Sequence, residues 1–154
     1  MKRVFFIILL SIIGSKGFSQ LIIENDLTVP IYVCIGWEQK TGDFKGMETM
    51  GWYNIEPGQS ANTGLNFSTD KNHFFYYAKT ASGPYREVIT GDINLLVDPT
   101  NHFTITNANL PYKKDEHPEY DWKPFKRKEV SFPTIKVGRI FTFKMTILDI
   151  SDGY

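Results

Sequence analysis

One cysteine, three histidines and a scatter of carboxylates are the groups in this 154-residue chain that could do chemistry. Cys34 lies in the apolar run Ile31-Tyr32-Val33-Cys34-Ile35, with no cationic neighbour in sequence. A reactive thiolate needs such a neighbour, so this pattern points to a buried, inert thiol. His73, His102 and His117 share neither HxH nor HExxH spacing. They are not expected to hold a metal, and His73 and His102 are expected at strand starts. Asp92 and Asp98 flank an expected strand, while Asp115, Glu116, Glu119 and Asp121 cluster in a charged stretch. Glycoside hydrolysis would need two carboxylates about 5–10 Å apart across a cleft. Turn caps and a solvated loop account for the same residues. GxSxG and EF-hand spacings are both missing, which removes support for serine-hydrolase chemistry and for a calcium loop. No catalytic residue, metal or cofactor is expected. A hydrolase acting on cell-envelope material through Asp92 or Asp98 stands as the alternative.

Aromatic residues offer a different chemistry. Trp37, Trp52, Tyr53, Phe74, Phe75, Tyr76, Tyr77, Tyr85, Tyr112, Tyr120 and Trp122 exceed what one face of a small sandwich needs. Strand alternation separates Phe74 and Tyr76 from Phe75 and Tyr77. Either one pair points outward, or the sheet is covered on both sides by a C-terminal hairpin or by the 111–129 segment. An outward row would stack on sugar rings or join a protein interface. Trp37, Trp52, Tyr53 and Tyr77 are the expected ligand-binding residues.

Elements that would position these groups follow from a period of two. Ile31, Val33, Ile35 and Trp37 alternate with Tyr32, Cys34 and Gly36. Similar alternation runs through Phe74–Lys79, Phe103–Thr106 and Phe141–Ile147, as half-buried strands require. Glu56-Pro57-Gly58-Gln59 suits a type II turn, and Asp98-Pro99-Thr100-Asn101 suits a type I turn closing a hairpin between Asn94–Val97 and His102–Thr106. Thr41–Met50 reads as a long loop. The segment 111–129, with Pro111, Pro118 and Pro124, reads as a charged loop or linker. Its basic run Lys123–Lys128 reads as a solvated face. The expected fold is all-β, an antiparallel β-sandwich over residues 20–110. An extra C-terminal β-hairpin is expected within 130–154, its arms near Ser131–Lys136 and Arg139–Ile150.

The address is carried by residues 1–19. Lys2 and Arg3 precede the apolar run Val4–Ile13, and Gly17 and Ser19 offer small residues for cleavage. This is the pattern of a secretory signal peptide, and the run is too short to span a bilayer, which takes about 20 apolar residues. Cleavage after Ser19 would leave no stable transmembrane anchor. It would also remove Lys2, Arg3 and Lys16, so 17 basic groups become 14 against 17 acidic ones, a net charge of −3. That balance disfavours a nucleic-acid partner. A single cysteine forms no internal disulfide in the exported compartment, periplasmic or secreted.

Taken in order, these motifs resemble a bacterial family. Ile23-Glu24-Asn25-Asp26-Leu27-Thr28 before the strand Ile31–Ile35 is similar to its opening. Gly51-Trp52 followed by Ile55-Glu56-Pro57-Gly58 is similar to its central signature, and Phe75-Tyr76-Tyr77-Ala78 to its aromatic strand. With Gly91–Asp98 and Phe103-Thr104-Ile105, the stretch Leu21–Asn109 resembles the bacterial domain-of-unknown-function 1036 family. The family pattern carries cysteines where Ser60 and Leu95-Leu96 stand here, so any disulfide it implies is lost. The resemblance implies no activity. The expected function is a non-enzymatic module of the bacterial cell envelope that binds an envelope ligand or protein, with a purely structural envelope protein as a further alternative.

Overall fold

Alternating apolar residues build two packed β-sheets in the computed structural model, which describes residues 19–41, 44–67, 72–130 and 140–150. The strands are β1 (Ser19–Asn25), β2 (Ile31–Thr41), β3 (Phe44–Ile55), β4 (Ser60–Phe67), β5 (His73–Thr80), β6 (Ile93–Val97), β7 (Phe103–Thr106), β8 (Asp121–Glu129) and β9 (Ile140–Met145). Two short helices, α1 (Pro111–Glu116) and α2 (Ile147–Ile150), complete the described elements. Six strands form an antiparallel sheet in the order β6-β8-β5-β2-β3-β7, and three form a smaller sheet in the order β4-β1-β9. The fold is an all-β sandwich whose larger sheet curls into a half-barrel.

The curl brings one edge of the large sheet back onto the other side. Thr49 Oγ1 donates to the Leu96 carbonyl at 2.8 Å. Leu96 N donates to the Ala108 carbonyl at 2.9 Å, and Ala108 N to the Met47 carbonyl at 2.8 Å. These bonds satisfy backbone groups that an open edge would leave unpaired.

Cross-strand register sorts the side chains into two cores. Cys34 lies opposite Tyr77, and Gly36 opposite Phe75, so Tyr32, Cys34, Gly36, Phe75 and Tyr77 share the concave face. A Cβ on Gly36 would meet Leu95 Cδ1 at 2.7 Å, which shows how closely β6 approaches β2. The convex face carries Ile31, Val33, Ile35, Phe74 and Tyr76, all buried beneath the small sheet. Phe74 meets Phe67, Phe141 and Phe143 with ring centroids 5.9, 6.5 and 5.7 Å away. Both aromatic rows of β5 are therefore covered, one by the curl and the other by β4 and β9.

Several expectations from sequence are corrected. The 111–129 segment is not a loop or linker: it holds α1 and the nine-residue β8. Residues 121–125 of β8 pair with β6, and residues 126–129 pair with β5. Pro124 falls in the first half, where its missing N–H takes no hydrogen bond from the β5 ladder. Phe125 is the only fully buried residue of this strand, so its alternation is faint. Thr41–Met50 is not a long loop either, because β3 begins at Phe44 and pairs with β2 out to Thr41. The strands around the Asp98 turn exist but do not pair with each other: β6 joins β8 and β7 joins β3.

Of the C-terminal hairpin, residues 131–139 lie outside the described residues. The other arm is β9, which runs parallel to β1 and is followed by α2 in place of further strand. The expected signal peptide lies outside the described residues except for Ser19, which begins β1 opposite Phe67. Among the described residues no helix is long and apolar enough to cross a membrane.

Candidate functional site

Local chemistry at one end of the concave face begins with a cross-strand pair. Tyr32 on β2 lies opposite Lys79 on β5, near strand ends where polar side chains reach water. Trp52 enters the same face from β3, beside the irregularity in register between Val33 and Ile35. The Gly51–Trp52 peptide is cis. Lys79 Nζ lies 4.7 Å from the Trp52 ring centroid and 5.9 Å from that of Tyr32. Ring faces attract an ammonium by roughly 0.5–2 kcal/mol, depending on desolvation.

The indole is fixed on its other sides. Trp52 Nε1 donates to the Asp98 carbonyl at 2.7 Å, and Tyr77 and Phe103 meet its ring edge-on at 5.7 and 6.2 Å. The turn it holds is itself tied down by Asp98, whose Oδ1 accepts from Thr100 N, Asn101 N and Thr100 Oγ1 at 2.9, 2.9 and 3.0 Å. Burial would raise the Asp98 pKa, but these hydrogen bonds outweigh it and hold the carboxyl below its usual range. Between strand ends and turn lies an open cleft of about 280 Å³, lined by Tyr32, Trp52, Lys79, Pro99, Thr100, Asn101 and His102.

Beside Lys79, where Glu87 bridges to it across the backbone, a second polar group forms. Tyr77 donates its hydroxyl to Glu87 Oε2, and Tyr85 also hydrogen-bonds the carboxylate. Lys123 Nζ sits 5.6 Å from the Tyr77 ring centroid. Burial acts to raise the Glu87 pKa, yet the two phenols and the charges of Lys123 and Lys79 hold it below the ordinary value. The same burial and carboxylate push the Tyr77 phenol far upward.

The four expected binding residues do not form one surface. Tyr77 is fully buried and Trp37 is 7% exposed, so neither presents a ring to a ligand. Trp52 and Tyr53 are half-buried on opposite faces. Tyr53 donates to the Thr63 carbonyl at 3.1 Å and contacts Met50 sulfur at 2.9 Å, and burial pushes its phenol up to about 12. Trp52 alone reaches the cleft, with Tyr77 packed behind it. Tyr32, Lys79 and His102 were not singled out as binding residues. A lysine ending an aromatic strand, two residues after Tyr77, was the available signal.

The acid candidates are structural. Asp92 Oδ2 accepts from Arg127 N at 2.6 Å, and Asp98 caps its own turn. They stand at opposite ends of β6, roughly 20 Å apart at about 3.3 Å per residue, beyond the reach of a glycosidase pair. Glu116 pairs with Lys113 and Glu119 with His117 on the surface. The basic run is divided by β8: Lys123 turns to the concave side, whereas Lys128 lies 4.7 Å from the Phe143 ring centroid on the convex side. Cys34 is fully buried, and desolvation pushes its thiol well above the ordinary value. His73 opens β5 and His102 immediately precedes β7. Among the described residues no three His, Cys, Asp or Glu side chains converge on a metal position.

Comparison with known proteins finds no matching family model, curated protein or solved structure.

Proposed function

We propose that the chain is an exported, non-enzymatic binding module of the bacterial cell envelope, related to the domain-of-unknown-function 1036 family, that takes a small ligand in the Tyr32–Trp52–Lys79 cleft. One observation carries the reading. Lys79 is held over two aromatic rings at the mouth of a curled sheet, and among the described residues no carboxylate makes an ion pair with it. Mouths of curled sheets are recurrent ligand sites, where an apolar wall and a few fixed polar groups supply affinity and orientation. The wall here is pre-organised, because Trp52 is pinned to the Asp98 carbonyl and the turn is capped by its own carboxylate.

Thermal-shift screening of the purified protein against glycans, peptidoglycan fragments, lipids and divalent ions tests the reading. A ligand that binds only the folded state raises the melting temperature by mass action. The expected result is a shift from one class that disappears in folded Tyr32→Ala and Lys79→Ala variants. A shift that survives both changes would place binding elsewhere. Export is checked separately, by intact mass of the protein from the envelope fraction, where a new N-terminus at Gln20 is expected.

A further inference from the structure

Resting on that binding reading, the geometry points to the chemical class of the ligand: we infer that the cleft takes a single sugar ring bearing a carboxylate, a uronic-acid unit. Three features of the lining converge on this class. Lys79 is the one lysine or arginine among the lining residues, and none of them is acidic. The neighbouring carboxylates are already engaged, Glu87 by the phenols of Tyr77 and Tyr85 and Asp98 by its own turn. An incoming carboxylate therefore meets an ammonium that no neighbouring carboxylate pairs with, although the Glu87 charge is felt at Lys79.

Size is the second feature. A volume of about 280 Å³ lies just below the roughly 300–1,000 Å³ of sites for drug-sized molecules, and suits one ring. Polarity is the third. Asn101 spends its Nδ2 on Asp98 and Thr100, at 3.1 and 3.0 Å from Asp98 Oδ2 and Thr100 Oγ1. Its side-chain oxygen remains as an acceptor for a sugar hydroxyl, and His102 lines the cleft with its ring edge-on to Tyr53. Tyr32 and Pro99 offer apolar surface for the C–H face of the ring. A bare anion would leave the apolar surface and the acceptor unused. A neutral sugar would bring no countercharge to Lys79.

Isothermal titration calorimetry with glucuronate, galacturonate, glucose, galactose and inorganic phosphate tests the inference. Either uronate is expected to bind, with its neutral counterpart roughly ten- to a hundredfold weaker, the factor that a hydrogen-bonded charge contributes. Lys79→Met, which keeps an unbranched side chain without the charge, should lower uronate affinity to the neutral-sugar level. Lys79→Arg should retain it within a few-fold, and it serves if the methionine variant fails to fold. Phosphate binding as tightly as uronate, with the same Lys79 dependence, would overturn the sugar assignment. Equal binding of neutral and acidic sugars, unchanged in Lys79→Met, would overturn the charge assignment and leave the binding reading standing. If no uronate binds while another class gives a thermal shift that depends on Tyr32, the ligand class is wrong and the site is right.

Discussion

Asn25 donates from Nδ2 to the Ile55 carbonyl at 2.8 Å, joining the last residue of β1 to the last residue of β3 across the two sheets. The same amide reaches the Val29 carbonyl at 2.9 Å, and its Oδ1 accepts from Leu27 N at 2.9 Å. Asn25 and its bond to Ile55 are buried, whereas the Val29 and Leu27 bonds are part-buried and open to water. Asn25→Ala would leave the buried Ile55 carbonyl unsatisfied, at about 1–3 kcal/mol. The expected outcome is a melting temperature lower by roughly 5–10 °C, read by circular dichroism. Loss of less than about 2 °C would mean that water or a shifted Val29 loop takes over the contacts.

A second dependence concerns Gly51. A Cβ there would sit 2.6 Å from Cys34 Sγ and 3.1 Å from Cys34 Cβ. Overpacking of a closed core costs about 1–3 kcal/mol, and Gly51→Ala should show a loss of that size in urea denaturation. Cys34→Ala removes the sulfur and relieves only the closest contact. The double variant should therefore lose less than the two single changes summed. Strict additivity would show that the Gly51→Ala loss does not come from contact with the Cys34 sulfur.

How much of this was readable beforehand depended on where burial falls. Ile31–Trp37 and Phe74–Lys79 announce themselves because both faces of these central strands are apolar or aromatic. β8 stays hidden because lysine and arginine stems sit along its half-exposed faces and only Phe125 is fully buried. Pairing was harder still. Val97 and Phe103 are separated by a short turn but belong to different ladders, since closing the curl favours β8 and β3 as partners over the local hairpin. Trp52 was found by residue type alone. Its partners Tyr32 and Lys79 were not, because the site is made by cross-strand register between distant segments, which a pattern of types does not encode.

Buried chemistry predicts a silent thiol. Cys34 is fully buried, and its pKa is pushed well above the ordinary value by desolvation, so both access and ionisation oppose reaction. Labelling by a disulfide reagent at pH 8 should be at least about a thousandfold slower in buffer than in denaturing urea, in proportion to the rarity of opening. Fast labelling of the folded protein would mean that the concave core opens locally around Gly51.

Glu87 sets the acid limit of the site. Its folded pKa is depressed below the unfolded value of about 4.3, despite burial, by the Tyr77 and Tyr85 hydroxyls and the charges of Lys123 and Lys79. A depressed carboxylate stabilises the fold above its unfolded pKa, and that contribution is lost as pH falls through the folded pKa. Glu87→Gln should therefore melt below the parent protein at pH 5–7, with the gap closing below about pH 4 as the parent's carboxylate becomes protonated. Tyr77→Phe, which removes the donor to Glu87 Oε2, should reduce that pH-dependent gap without abolishing it, because Tyr85 and both lysines remain. A gap that stays constant down to pH 3 would assign the effect to packing of the amide, not to the carboxylate's charge.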